Sequence, residues 1–348
     1  MKAWAALAPD HIKCVDIPIP EPGDYEALVK IEACVICNST DWMVVNDHFR
    51  SAGYPVLIGH ESFGKVIKTG KNVRNFKLGD RVTSPNAIPG GFDGKYYSSW
   101  GGFAEYGIVG DYHALKQDMG SQVDQNKYLA RYATNLIIPA DFSLDRAGLT
   151  IALSETASCI MKLDSIRDKN IVVMGTGIAG LSLVMFSKLQ GAGRVLCVGR
   201  RADRLVRAET LGADKTYLSG DEGMAADILA MTSANSGKSG ADVVFEATGK
   251  YNVFQKGLPF LAEEGTLAIY GVPEQPYVIN TYASPKRFRI QTMAPDEALA
   301  MEYACSLLQQ EDFPVDVFMT HRWGFDDFPQ AMAQVRAGEV VKGMVILP

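Results

Sequence analysis

Two rhythms of apolar and polar residues divide the chain. Up to about residue 145 the apolar runs are short and broken by Gly and Pro. Residues 1–8, 25–34, 64–70 and 76–83 read as successive strands with turn signals between them. Such spacing predicts a barrel-like or sandwich β domain. From residue 144 to about 285 the texture changes. Residues 171–174, 194–198, 241–246 and 265–271 are buried-type β runs, with helix-like stretches between them, such as 181–189. That alternation predicts a doubly wound parallel sheet. The tail carries a helix near 296–310 and a last strand at 342–347. The chain therefore reads as a β-rich domain, 1–145 with 286–348, holding an embedded α/β domain, 146–285. A cleft between two such domains is a favoured ligand site.

The α/β portion opens on Ile171-Val-Val-Met-Gly175-Thr-Gly177-Ile178-Ala179-Gly180. A β-branched run feeds into Gly-x-Gly-x-x-Gly and then into a helix. Gly175 permits the tight turn, Gly177 lets the backbone approach a pyrophosphate, and Gly180 lets helix and strand pack closely. The phosphates, beside Ile178 and Ala179, meet free N–H groups and the positive end of the helix dipole. The next strand ends where an NAD-binding fold places Asp or Glu on the adenosine ribose. Here Gly199 stands at that end, followed by Arg200 and Arg201. No carboxylate repels a 2′-phosphate, and two guanidiniums can clamp one. The expected cofactor is NADP(H), preferred over NAD(H). Lys342 is a further candidate for the cofactor phosphates. The competing reading makes Arg200 and Arg201 a solvated turn, with Arg204 and Arg207 continuing a basic helix face.

Composition narrows the class. The chain has 348 residues, 47% hydrophobic and 21% charged, a mix ordinary for globular domains. A formal net charge of −6 argues against nucleic acid as a partner. No run approaches the ~20 apolar residues of a membrane helix, and residues 1–8 read as a strand and not a signal peptide. Six cysteines without framework spacing suggest a reducing compartment, with the cytoplasm as default.

A second constellation comprises Cys37, His60, Glu61 and Glu155. Thiolate, imidazole and carboxylate are zinc ligands, and three of them leave a fourth position for substrate. Spacing alone leaves packing roles open: a small buried hydrophobe for Cys37, a core position for His60, a capping or surface carboxylate for Glu61. Cys34-Val-Ile-Cys37 has redox spacing, but it ends a strand instead of opening a helix, which argues against that role.

These residues, with Pro18-Ile-Pro20-Glu-Pro22-Gly, Gly59-His60-Glu61, Gly79-Asp80-Arg81-Val82, Gly101-Gly-Phe-Ala-Glu-Tyr106 and Leu211-Gly-Ala-Asp214, resemble the medium-chain dehydrogenase/reductase family. The branch resembled is the zinc-dependent alcohol and polyol dehydrogenases, nearest the sorbitol-like group. The resemblance covers nearly the whole chain. It implies a GroES-like β-rich catalytic domain with an embedded Rossmann domain, and a homodimer or homotetramer. It implies a catalytic zinc on Cys37, His60 and Glu155, with Glu61 beside the metal and able to join its shell. Ser39 matches the hydroxyl that passes the substrate proton onward. Three departures stand out. The stretch 86–110 lacks the cysteines that hold a structural zinc in relatives, so one zinc per chain is expected. Thr40 separates Ser39 from Asp41, so the carboxylate behind the metal ligands is expected to be displaced or replaced. Trp42 occupies the place of a relay histidine, and His48 has no assigned role.

The resemblance implies hydride transfer between an alcohol or polyol, or its ketone or aldehyde, and NADP(H). The rival readings are a zinc-free quinone or enoyl reductase of the same fold and a non-enzymatic NADPH-binding protein. The Cys/His/Glu set argues against both. Trp42, Tyr97, Trp100 and Phe103 are candidates to line the substrate cleft or simply to pack the core. The stretch 85–100 is expected to shape the pocket. Residues 277–282 are expected to form an edge strand for assembly.

Overall fold

The computed structural model describes residues 1–46, 53–98, 100–233, 239–273, 275–280 and 286–348. The chain forms two compact units, 1–151 with 301–348, and 152–300. His48 lies outside the described residues, as do Thr281 and Tyr282 of the expected edge strand.

In the first unit the hub is Glu26–Ile36, whose alternate residues are almost all buried. It pairs antiparallel with Glu61–Thr69, Tyr106–Gly110 and Lys342–Ile346. Arg81–Thr83 and Ile137–Ile138 extend this sheet, and Met319–Gly324 lies parallel to the terminal strand. A smaller sheet carries Lys2–Ala8, His11–Asp16, Val56–Leu57 and Tyr97–Ser98. Of the strand expected over 76–83, only Arg81–Thr83 forms; Gly79, at φ +87°, turns the chain just before it. Trp4, Phe103, Phe328 and Val345 belong to the main apolar core of this unit.

A helical lobe not foreseen from the sequence follows the strand Tyr106–Gly110. It comprises Tyr112–Met119, Gln122–Gln125, Lys127–Ala130 and the 3-10 turn Arg131–Thr134. Asp111 caps its first helix, accepting from Ala114 N, and also receives Arg74 N and Asn75 N. Asn126 caps the third, accepting from Tyr128 N.

The second unit is a six-stranded parallel sheet, in the order Lys215–Leu218, Arg194–Gly199, Asn170–Met174, Ala241–Glu246, Leu261–Ile269, Phe288–Thr292. The central strand Asn170–Met174 is buried throughout, as a strand covered on both faces must be. Residues 277–280 form no strand, and the edge strand on that side is Phe288–Thr292, beyond the boundary drawn at 285. The carboxylate of Glu246, fully buried at a strand end, accepts from Thr248 N, Gly249 N and the Tyr277 hydroxyl. Among the described residues no helix is long and apolar enough to cross a membrane.

Candidate functional site

Strand register builds the first centre. Val35 of the hub faces Glu61 across an antiparallel pair, so residues just past one and just before the other share an end of the ladder. Gly343 faces Ile36 on the hub's other side, which brings Lys342 to the same end. The result is a group in which Cys37, His60 and Glu61 each offer a ligand atom within 4.8 Å of the others. Cys37 and His60 are half-buried; Glu61 is 2% exposed.

Asp41 holds this group in shape. Its buried carboxylate accepts from Cys37 N at 2.9 Å and meets His60 Nδ1 at 3.2 Å, so His60 keeps Nε2 for other use. The extra residue before Asp41 therefore does not displace it, contrary to the sequence expectation. The helix Thr40–Val45 starts at once after Ser39, and its first turn swings Asp41 back under Cys37. Ser39 is exposed, with Oγ 3.8 Å from Cys37 Sγ.

Lys342 is not where the sequence placed it. Its ammonium is 1% exposed and donates to Glu61 Oε1 at 2.6 Å. A buried cation takes the nearest carboxylate, so Lys342 belongs to the metal-type group and not to a cofactor-phosphate field. The other Glu61 oxygen, Oε2, is buried without a hydrogen-bond partner. An orphaned carboxylate oxygen beside a thiol and an imidazole suits a divalent cation: oxygen, sulfur and nitrogen donors converge there.

The charges agree with that reading. Burial alone would raise the Cys37 thiol, but the hydrogen bond and charge of His60, with the charge of Lys342, bring it below the ordinary value. Burial would lower His60, yet Asp41 and Cys37 hold it well above the ordinary imidazole range. The shifts favour thiolate for Cys37 and imidazolium for His60 relative to the free side chains, and a metal taking both as ligands would displace the imidazolium proton.

Glu155 lies well inside the helix Leu144–Met161, and it belongs to the second unit. Of the aromatic candidates, Phe103 is fully buried against Phe328 and lines nothing. Tyr97 stacks on Phe92, and Trp42 lies under the guanidinium of Arg336. Trp100 is the one set against the metal-type group, its ring 5.1 Å from that of His60.

The second centre is the glycine turn of the nucleotide unit. Gly175 has φ +129°, and a Cβ there would stand 2.8 Å from Thr248 Cγ2. A Cβ on Gly180 would stand 2.1 Å from the Gly175 carbonyl oxygen, so only glycine lets the helix Ile178–Leu189 pack on the strand. A Cβ on Gly177 would meet nothing, leaving an open cradle at the helix N-terminus where a pyrophosphate fits. Ile178 and Ala179 open that helix.

Gly199 ends its strand for a reason the sequence hid. A Cβ there would come within 2.6 Å of Thr176 Cγ2 and 2.9 Å of its Oγ1. Arg200 and Arg201 follow on the surface, and Arg201 pairs with Asp203 at 3.1 Å. Burial, then the charges of Arg201, Arg207 and Arg200, lowers the Arg204 guanidinium; Asp203 opposes. Arg200, Arg201 and Arg207 thus lie near enough to Arg204 for their charges to act on it, and Arg204 and Arg207 belong to the helix Ala202–Thr210.

Residues 23–118 match the alcohol dehydrogenase GroES-like domain family, and residues 179–294 match the zinc-binding dehydrogenase family. The sorbitol dehydrogenase of Halalkalibacterium halodurans is 28% identical over 341 residues, covering 95% of this chain and 94% of the relative. The L-threonine 3-dehydrogenase of Klebsiella pneumoniae subsp. pneumoniae is 27% identical over 360 residues, covering 100% and 99%. The benzyl alcohol dehydrogenase of Acinetobacter calcoaceticus shares the fold at TM-score 0.80 and 21% identity, over 100% of this chain and 99% of that one. A structure from Sinorhizobium meliloti 1021 bound to NADP does so at TM-score 0.80 and 24% identity, over 99% and 98%. The chain belongs to the medium-chain dehydrogenase/reductase family, in its zinc-binding alcohol and polyol dehydrogenase branch.

Proposed function

We propose that this protein is a zinc-dependent oxidoreductase that moves hydride between an alcohol or polyol, or its ketone or aldehyde, and NADP(H). The observation that carries the reading is the convergence of Cys37, His60 and Glu61 within 4.8 Å, with a buried Glu61 oxygen lacking a partner. Glu155 is retained as a further ligand on the strength of the resemblance. Bound at this group, zinc supplies Lewis acidity toward the substrate oxygen, and NADP(H) carries the hydride.

The chain's own residues do the rest. Cys37 and Glu61 supply negative charge, and Asp41 fixes the ring of His60 so that Nε2 faces the group. Lys342 neutralises one Glu61 oxygen, which limits the net charge of the site. Ser39, exposed beside Cys37, is placed to pass a substrate hydroxyl proton toward water. Trp100 covers one side of His60. In the nucleotide unit, the open cradle at Gly177 and the arginines after Gly199 support an anionic cofactor with a 2′-phosphate. The NADP-bound structure of the same fold agrees with this choice.

The test has two arms. Elemental analysis of the purified protein is expected to give one zinc per chain, and two would defeat the single-site reading. Cofactor reduction is then followed across polyols, sugars, secondary alcohols and 2,3-diols with NADP and NAD, before and after chelator treatment. Turnover that survives complete metal removal would favour the zinc-free reductase instead. We also infer a homo-oligomer, from the exposed parallel edge Phe288–Thr292. A monomer by light scattering at micromolar concentration refutes it.

A further inference from the structure

Arg131 opens the last turn of the helical lobe 112–134, and its side chain reaches toward the metal-type group through one aromatic ring. The guanidinium carbon of Arg131 lies 5.2 Å from the Trp100 ring centroid, and the Trp100 and His60 rings lie 5.1 Å apart at 45°. The lobe holds Arg131 on a firm base. The neighbouring Tyr132 is buried and donates its hydroxyl to Glu26. Asn135 accepts from Gly110 N at 3.0 Å and donates to the carbonyls of Thr83 and Ser84. The backbone of Trp100 is fixed as well: its carbonyl accepts from Ala87 N, and two residues on Gly102 N donates to the carbonyl of Gly59, beside His60. Trp100 and Arg131 line one small pocket together with Asn86, Tyr128 and Tyr132.

We propose that Arg131 is a positioning residue that acts through Trp100. Its guanidinium holds the indole against His60, and the indole is the wall that limits the bulk of alcohol accepted beside the metal-type group. This rests on the reading that the alcohol binds at Cys37, His60 and Glu61. A cation over an indole face is attracted by the ring quadrupole, and Arg adds planar stacking that Lys lacks.

The experiment is a double-mutant cycle on substrate selectivity, using kcat/KM for a small secondary alcohol over a branched or aryl-bearing one. Zinc-loaded wild type is compared with Arg131→Ala, Arg131→Lys, Trp100→Ala and the double variant. Arg131→Ala is expected to lower the small-over-bulky ratio about fivefold, the worth of one partly desolvated cation–π contact. Arg131→Lys should restore part of it. In the Trp100→Ala background, Arg131→Ala should change nothing further. An equal shift in both backgrounds means that Arg131 meets the substrate directly, and it overturns the proposal, as does no shift in either. A readout free of turnover separates this from the functional reading. Acrylamide quenching of Trp100 fluorescence, isolated by difference from Trp100→Phe, should rise in Arg131→Ala. If no alcohol is turned over by wild type, the functional reading fails, and unchanged quenching still refutes the hold of Arg131 on Trp100.

Discussion

Replacing Lys342 with methionine should expose what holds Glu61 in place. The two side chains are 1% and 2% exposed, with Nζ and Oε1 at 2.6 Å. At this range, with an effective dielectric of ~20, opposite unit charges attract by about 4–6 kcal/mol. Removing one partner of a buried pair commonly costs ~3–5 kcal/mol, because the survivor stays buried and uncompensated. Methionine keeps most of the volume, so the packing loss is small. The metal-free Lys342→Met protein should therefore lose ~3–5 kcal/mol in the first unit. Two changes should recover much of that. Glu61→Gln in the same chain removes the stranded charge. Zinc offers Glu61 a new cation, and at 100 times its dissociation constant it adds about 2.7 kcal/mol to any state that binds it. The assay is urea unfolding followed by tryptophan fluorescence. All four tryptophans, Trp4, Trp42, Trp100 and Trp323, lie in the first unit, so the signal reports on that unit alone. A loss below ~1 kcal/mol, or a double variant as unstable as Lys342→Met, would refute the reasoning.

Three further outcomes are expected. Asp41→Asn should weaken zinc binding about 10–100-fold in a chelator competition, because His60 and Cys37 lose the carboxylate that orients them; unchanged affinity would deny Asp41 that role. In metal-free protein, iodoacetamide should modify Cys37 at pH values where an ordinary thiol is protonated, while burial raises Cys34, puts Cys159 and Cys197 at about 12 and Cys305 at about 11, keeping them unreactive. The lowered thiol contributes stability above its unfolded value and loses it as pH falls through the folded one; the raised His60 contributes below its unfolded value and loses it as pH rises through the folded one. The thiolate–imidazolium pair should thus stabilise the metal-free fold only between those two limits, and a flat pH–stability profile would contradict it. Finally, Arg200→Ala with Arg201→Ala should reduce kcat/KM for NADP at least tenfold relative to NAD, each charged hydrogen bond being worth ~1.5–3 kcal/mol before screening. Equal values for the two cofactors in the wild type would return these arginines to solvent. Gly199→Asp is the poorer way to switch preference, since its Cβ would press on Thr176.

The nucleotide unit was legible because its signals are local. The three glycines, the all-apolar strands and the helix after them are adjacent in sequence, and Ala241–Glu246 falls where its apolar run does. The metal-type group was legible only through resemblance. Cys37 and His60 lie 23 positions apart, and the register that joins them is set by which hub residue faces Glu61. Lys342 was misread for the same reason: its partner is 281 residues away. The helical lobe escaped notice because its elements span four to eight residues, too short for a helical period to emerge. Asp111 and Asn126 were the available cues, as caps ahead of short helical stretches. Gly199 illustrates a different limit. Its missing side chain answers to Thr176 as well as to any cofactor.

The hub strand also sets a schedule. One flank of Glu26–Ile36 is closed by Lys342–Ile346, and Glu61 waits 281 residues for its ammonium. At ~5–20 residues per second, a ribosome spends about 15–55 s between making the carboxylate and making its counter-charge. For that interval the hub has a bare edge, open to pairing with another nascent chain. The thiol and imidazole are already on hand, so an ion captured early would meet a site short of one positive charge. The strand Lys342–Ile346 closes the sheet and balances the centre in a single step, so the first unit reaches its final electrostatic state only once that strand has been made.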